Sequence, residues 1–443
     1  YLTPHTVREV HKTLRNAFSI PEIRKKMLYT LLMLLIFRMG CAVVVPFLDT
    51  DVVKTWMASN ASDGNFLEYL DILTGGALSN ATVFSLSITP YINASIIMQL
   101  LTYALPPLER MRDEGEEGQK KLNRITAAVA MALAAFMSFA YYLTLKNQMN
   151  AVTDGGSTAA NVFIGFVIVM SFIAGTSIVV WMGNRINDKG IGNGISMILF
   201  AGIVSRIPQL VSTMVSSLAN GSLKWYTALL LIVGILAIMI FIVFITNSER
   251  RIPVQYAKRV VGRKMYGGQS THLPIKVNMS GVLPIIFAQS IASLPATIIA
   301  FTGTSSTGFW AWMNKYVFDN KSVVYMVCYF LLIIAFSYFY ATIQFNPIEI
   351  ANNLKKNGGF IPGFRPGKPT ADFILKVINK ITLFGALYLA IVAILPIIVG
   401  NIIGNSSLAI GGTSVIIVVG VALETVKAME AQMLMRHYKG FLE

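Results

Sequence analysis

The chain has 443 residues, of which 55% are hydrophobic and 13% charged, and it carries a formal net charge of +15. A soluble domain has roughly 25% charged residues, so most of this chain is not covering a water-facing surface. Composition therefore excludes an ordinary soluble fold and points to a polytopic membrane protein. Crossing the hydrocarbon core takes about 20 apolar residues, and stretches of that kind recur ten times, at 27–47, 80–105, 125–145, 161–182, 195–214, 225–246, 279–301, 323–344, 380–400 and 407–427. A membrane β-barrel would show alternating segments of about ten residues, and the sequence has none. The expected fold is all-α, a bundle of ten transmembrane helices.

Before the first span, residues 1–26 include the stretch VREVHKTLRNAFSIPEIRKK, a basic amphipathic segment expected on the cytosolic membrane surface. No cleavable leader is visible in it. With the N-terminus in the cytosol, 29 of the 36 Lys and Arg residues fall in cytosolic segments, a strong positive-inside bias. An even number of spans returns the tail, 428–443, to the same side. Arg38 is read as a charge near the middle of the first span. Cys41 and Cys328 both fall in spans, so neither a disulfide nor a thiolate metal site is expected.

Between the outer loop and the second span runs FLEYLDILTGGALSNATVF. Phe66, Leu67, Leu70, Ile72 and Leu73 suit a helix far too short to span, and Gly75 and Gly76 then break it. Backbone at membrane depth is tolerated only inside protein or beside a water-filled cavity. A segment over about 66–78 that closes such a cavity from the outer side is the economical expectation.

The second span contains SITPYINASIIMQLL, placing Pro90, Asn93, Ser95 and Gln99 in what reads as one membrane helix. After it, RMRDEGEEGQKKLNR alternates charges of both signs and is expected to be a solvated hairpin. The GIGNG stretch at 190–194 lacks the Lys-Ser/Thr and the preceding strand of a phosphate loop, and is read as a tight cytosolic turn.

Two long cytosolic loops follow, 247–278 and 345–379. The first holds Arg250, Arg251, Lys258, Arg259, Arg263 and Lys264; the second is rich in Gly and Pro around Arg365. Setting topology needs only a few charges, whereas hairpins with internal apolar residues suit docking of a large anionic or acidic partner. No enzyme constellation accompanies them: the four histidines lie outside the spans, and no HExxH or paired-Cys motif occurs. The chain is expected to be no enzyme and to hold no metal or cofactor. A secondary transporter of a small solute is the alternative, but such proteins place acids, histidines or basic residues where the substrate or proton passes, and these spans are nearly free of ionisable groups.

The stretches ITPYINASIIMQLL, WMGNRINDKGIGNGISMILF, RRIPVQYAKRVVGRKMYGGQSTHLPIKVNMSGVLPIIFAQS, GGFIPGFRPGKPT and GGTSVIIVVGVALET closely resemble the signature segments of the bacterial SecY family, the central subunits of protein-conducting channels. The resemblance extends from about residue 12 to the end. One departure is Asn184, where the family usually has an acid. The resemblance implies two pseudo-symmetric inverted halves that face each other as a clamshell, 27–214 and 215–427. It implies a plug at 66–78 and a pore ring of Ile88, Ile92, Ile195, Leu199, Ile286 and Ile417. It also implies a lateral gate in which Pro90 loosens the second span. There Asn93, Ser95 and Gln99 would bond across to Asn278, Ser280 and Gln289 of the seventh span.

The implied partners are SecE and SecG, the SecA ATPase engaged through Arg365, and the ribosome contacted by the basic loop 247–278. Signal sequences of secretory preproteins, YidC, SecDF and membrane lipids complete that set. The implied location is the bacterial inner membrane, with both termini cytosolic, and the implied activity is passage of unfolded chains across or sideways into the membrane.

Overall fold

The computed structural model describes residues 18–60, 71, 73–221, 224–256, 259–261, 264–266, 270–279, 281–302, 322–403 and 406–439. The plug candidates Phe66, Leu67, Leu70 and Ile72, the loop candidates Lys258 and Arg263, and Ser280 lie outside the described residues.

Helix formation follows the apolar stretches closely. The N-terminal half contains α1 (Pro21–Gly40), a short external helix α2 (Thr50–Asn60), and α3 (Thr89–Ala104), α4 (Pro106–Asp113) and α5 (Glu116–Asn147). It continues with α6 (Thr158–Lys189), α7 (Gly194–Ser205) and α8 (Ile207–Ala219). The C-terminal half contains α9 (Trp225–Asn247), α10 (Leu283–Thr302), α11 (Val323–Gln344), α12 (Pro347–Lys356), α13 (Lys368–Ile403) and α14 (Ser406–Lys439). Each of the ten expected spans thus receives a described helix. Apolar side chains such as Leu31, Phe136, Val162, Phe163 and Leu230 remain exposed on the bundle's outside, where only lipid satisfies them.

Three spans differ from the sequence reading. The second does not begin near residue 80: α3 starts at Thr89, and residues 74–88 form a succession of turns. Pro90 therefore occupies the first turn, where its missing N–H costs nothing, instead of kinking a helix interior. The fifth span is two helices, broken between α7 and α8 at Arg206, because Pro208 starts a new first turn. The ninth begins as early as Lys368, so the loop read as 345–379 contains α12 and the first turns of α13.

The expected hairpin after the second span is α4 and α5 joined at Gly115, whose φ of +76° suits glycine. Exposed pairs Lys121–Glu114 (3.0 Å) and Lys120–Glu116 (2.9 Å) decorate it. The GIGNG stretch is a turn as expected: Asn187 Oδ1 accepts from Gly194 N (2.6 Å), and Asn193 caps α7.

The two long loops supply the strands. β1 (Glu249–Tyr256) pairs antiparallel with β4 (Ser270–Lys276) in the register Ile252 opposite Leu273. Between them lies the ribbon β2 (Arg259–Val261) and β3 (Lys264–Tyr266). β5 (Gly359–Phe360), from the other loop, adds to the free edge of β1. Ile252, Val254, Ile275, Leu354, Ile361, Ile374 and Ile378 form one buried cluster under this sheet. Two loops that look independent in sequence are therefore one platform, cemented to α13.

The halves meet along two seams. α10 lies against α3 and α5, and α14 lies against α7.

Candidate pore, plug and lateral opening

Small backbones and aliphatic side chains shape the centre of the bundle. Ile88 is fully buried and Leu199 nearly so, in a cluster to which Ile92 and Ile195 add partly buried faces. Gly183 of α6 faces Ile88 and Ile195: a Cβ there would lie 3.6 Å from both. Ile417 of α14 is buried in a second cluster that contains Leu73 and Ile203, with Ile286 packed on its side. Ile92 and Ile286 both also touch the core of the C-terminal half. The six aliphatic candidates come from four spans of both halves and fall in two clusters, Ile88, Ile92, Ile195 and Leu199 in one and Ile286 and Ile417 in the other, while Ile92 and Ile286 both pack on a third.

Next to them the chain is of a different kind. Residues 73–88 are almost wholly buried yet make turns, with Gly75 and Gly76 at φ +70° and +85° and Ala81 and Ser87 also at positive φ. Buried turns must satisfy their own backbone. Thr82 Oγ1 and Ser85 Oγ both donate to Ala77 O (3.1 and 3.0 Å), and Asn80 Nδ2 donates to Gly76 O (2.6 Å). Tyr141 of α5 reaches in to donate to Leu78 O (3.0 Å).

Charge holds this segment as well. Asp71, 3% exposed, receives the Arg206 guanidinium at 2.7 Å and the Ser79 N–H at 2.7 Å. Arg38 Nη1 donates to Gly75 O at 2.8 Å. Gly202 of α7 allows the approach, since a Cβ there would sit 2.4 Å from Leu73 O. Sequence reading singled out Arg38 but missed Asp71 and Arg206. An available signal was an acid in a mostly apolar segment, together with an arginine just before a proline-started helix.

The lateral candidates are partly rearranged. Neither Asn93 nor Ser95 bonds Asn278 or Gln289. Instead Gln99 accepts from Tyr340 Oη, and Gln289 Nε2 donates to Tyr325 Oη (3.4 Å). Both tyrosines belong to α11, so the expected amide bridge between the second and seventh spans is replaced by two separate bridges to the eighth. The reason is reach: a tyrosine hydroxyl projects farther from its helix than an amide does. Asn278 is not in the seventh helix at all; it is buried in the connection from β4 to α10, close to Gly385 of α13.

On the platform, Arg250 and Arg251 lie exposed on β1, with Arg251 held by Glu249 (2.7 Å). Arg365 is exposed in the turn after β5, flanked by Gly363 (φ +89°) and Gly367 (φ +109°), and its carbonyl accepts from Thr370 Oγ1 (2.7 Å). Arg259 and Lys264 lie on the β2–β3 ribbon. Among the described residues no group of His, Cys, Asp or Glu side chains could hold a metal ion.

Membrane-length helices in two halves, joined along two seams around an aliphatic centre, define a multi-pass channel protein. The SecY family model matches residues 82–426. Protein translocase subunit SecY of Thermotoga maritima is 42% identical over 435 residues, which cover 97% of each chain. A solved structure described as a protein conducting channel matches at a TM-score of 0.63 and 16% identity, covering 93% of this chain and 92% of that one. Sec61 in a canine ribosome-channel complex matches at 0.61, with 16% identity and the same coverage. The chain belongs to the SecY family.

Proposed function

We propose that this chain is the pore-forming subunit of a protein translocase, a passive gated channel that passes unfolded polypeptides across a membrane and releases apolar segments sideways into lipid. The observation that supports this reading is that Ile88, Ile92, Ile195 and Leu199 form one aliphatic cluster, Ile286 and Ile417 form another with Leu73, and Ile92 and Ile286 pack on one core from the two halves. An aliphatic ring offers a passing chain no hydrogen bonds to grip, and when empty it dewets against ions. The buried segment that precedes Ile88 lies against both clusters, Leu73 beside Ile286 and Ile417 and Ala77 and Phe84 beside Ile88 and Leu199. The seam between α3 and α10 is the lateral opening.

The chain carries no nucleotide-binding motif and acts as a channel, not an enzyme, so energy comes from partners on the cytosolic platform. Arg365 is the contact for the SecA ATPase, and Arg250, Arg251, Arg259 and Lys264 meet ribosomal RNA phosphates in a salt-sensitive contact. SecE and SecG complete the complex, YidC and SecDF act beside it, and the location is the bacterial inner membrane with both termini in the cytosol.

A stalled secretory chain carrying a photo-crosslinker tests the reading. It is expected to label positions 92, 286 and 417 and to spare Phe163, a 61% exposed residue on the outside of the bundle. Equal labelling of Phe163 and the ring refutes it. For the platform, Arg365→Glu is expected to abolish ATP-driven translocation while the complex still assembles; normal translocation by that variant removes the assignment.

A further inference from the structure

The segment over residues 71–80 has two chemically different sides. Among the described residues, the ion pair and the side-chain hydrogen bonds that it shares with other elements go to the N-terminal half: Arg38 of α1 to Gly75 O, Tyr141 of α5 to Leu78 O, and Arg206 after α7 to Asp71. Towards the C-terminal half the contact seen among the described residues is apolar, with Leu73 clustered against Ile286, Ile417, Val418 and Val421.

These two sides differ in what it takes to separate them. Apolar contact with α10 and α14 is non-directional, and an incoming apolar chain can replace it. The other side would leave Asp71 and Arg206, whose side chains are 4% and 16% exposed, as unpaired charges in a poorly hydrated site. Removing one partner of such a buried pair is strongly unfavourable. When the halves part, the segment therefore separates from the C-terminal half first.

We propose that Asp71 and Arg206, supported by Arg38, act as a positioning latch that keeps residues 71–80 on the N-terminal half during lateral opening, so that the seal re-forms in register once the halves close. This rests on the channel reading above. The latch adds a division of labour to it: sideways release of an apolar segment leaves the pair intact, and only passage of a chain through the centre breaks it.

The test uses the assembled translocase in vesicles, with ion leak measured in the resting state at equal amounts of complex. Arg206→Met, which keeps length without charge, and Asp71→Asn are each expected to raise resting leak about tenfold. Arg206→Lys keeps the charge and is expected to stay near the parent. The double variant Asp71→Asn, Arg206→Met should leak no more than the worse single, since both remove the same pair. Parent-like leak in Arg206→Met, leak in Arg206→Lys equal to that of Arg206→Met, or multiplying effects in the double variant overturns the latch. A variant with glycine at 88, 92 and 286 is run alongside. If it leaks and Arg206→Met does not, only the latch falls; if neither leaks, the channel reading falls with it.

Discussion

The aliphatic centre and the seat of the segment beside it are neighbours built from opposite materials. At the centre, Ile88, Leu199 and Ile417 are buried in aliphatic clusters; in the segment that brings Leu73 to Ile417, Asp71 and Arg206 share a 2.7 Å ion pair and Arg38 holds a carbonyl. Apolar packing is non-directional and tolerates exchange of one occupant for another. Charge-assisted bonds are directional and specify one position. A pore that must accept any chain and yet close in one arrangement uses the first where the occupant changes and the second where the seal must return.

The largest expected effect comes from removing the exchangeable part outright. Glycine at 88, 92 and 286 deletes three side chains, each worth about 2 kcal/mol or more of burial, and leaves the ion pair in place. Conductance of reconstituted vesicles should rise on the order of a hundredfold, with export retained. Unchanged conductance would mean that the aliphatic cluster does not seal the channel and that the seat alone does.

A smaller effect should come from shifting the seat without altering any charge. Gly202→Ala puts a Cβ 2.4 Å from Leu73 O, backbone that cannot rotate aside, so the segment must move. Helix propensity alone favours alanine by about 1 kcal/mol, so loss of the helix is not the expected cause. Leak should rise roughly tenfold. Gly234→Ala on α9, with nothing within 4 Å of the new Cβ, is the matched control and should stay tight. Equal leak from the two variants would remove backbone approach from the account.

The smallest expected effect lies at the lateral seam. Tyr340→Phe deletes the hydroxyl that donates to Gln99, an interhelical bond worth about 0.6 to 1.7 kcal/mol. Opening should become easier by a few-fold to about tenfold. The readout is export of a reporter whose signal has a shortened apolar core, at equal expression. Export below the parent would show that this bond supports the open arrangement instead of restraining the closed one.

Much of the fold was legible because membrane helices are specified locally. In lipid every backbone group must be satisfied within its own segment, so an apolar run announces its helix without help from the rest of the chain. Residues 77–88 misled for a related reason. ALSNATVFSLSI is apolar enough to pass for a helix, but its Ser, Thr and Asn side chains bond the backbone and stabilise turns. The aliphatic candidates were found through the family resemblance, since an isoleucine in a span looks the same whether it faces a pore, a core or lipid.

What the sequence by itself determined is the set of spans and the turn at GIGNG, both set by neighbours within a few residues. Only the tertiary structure decided which distant residues complete one another. Asp71 finds Arg206 beyond three intervening spans, β1 takes β5 from another loop as its edge, and Gln99 bonds Tyr340 where the seventh span had been expected. Hydropathy is a property of a window, but a buried charge or an unpaired strand edge is satisfied by whatever the packing brings within hydrogen-bond reach. No window contains that information.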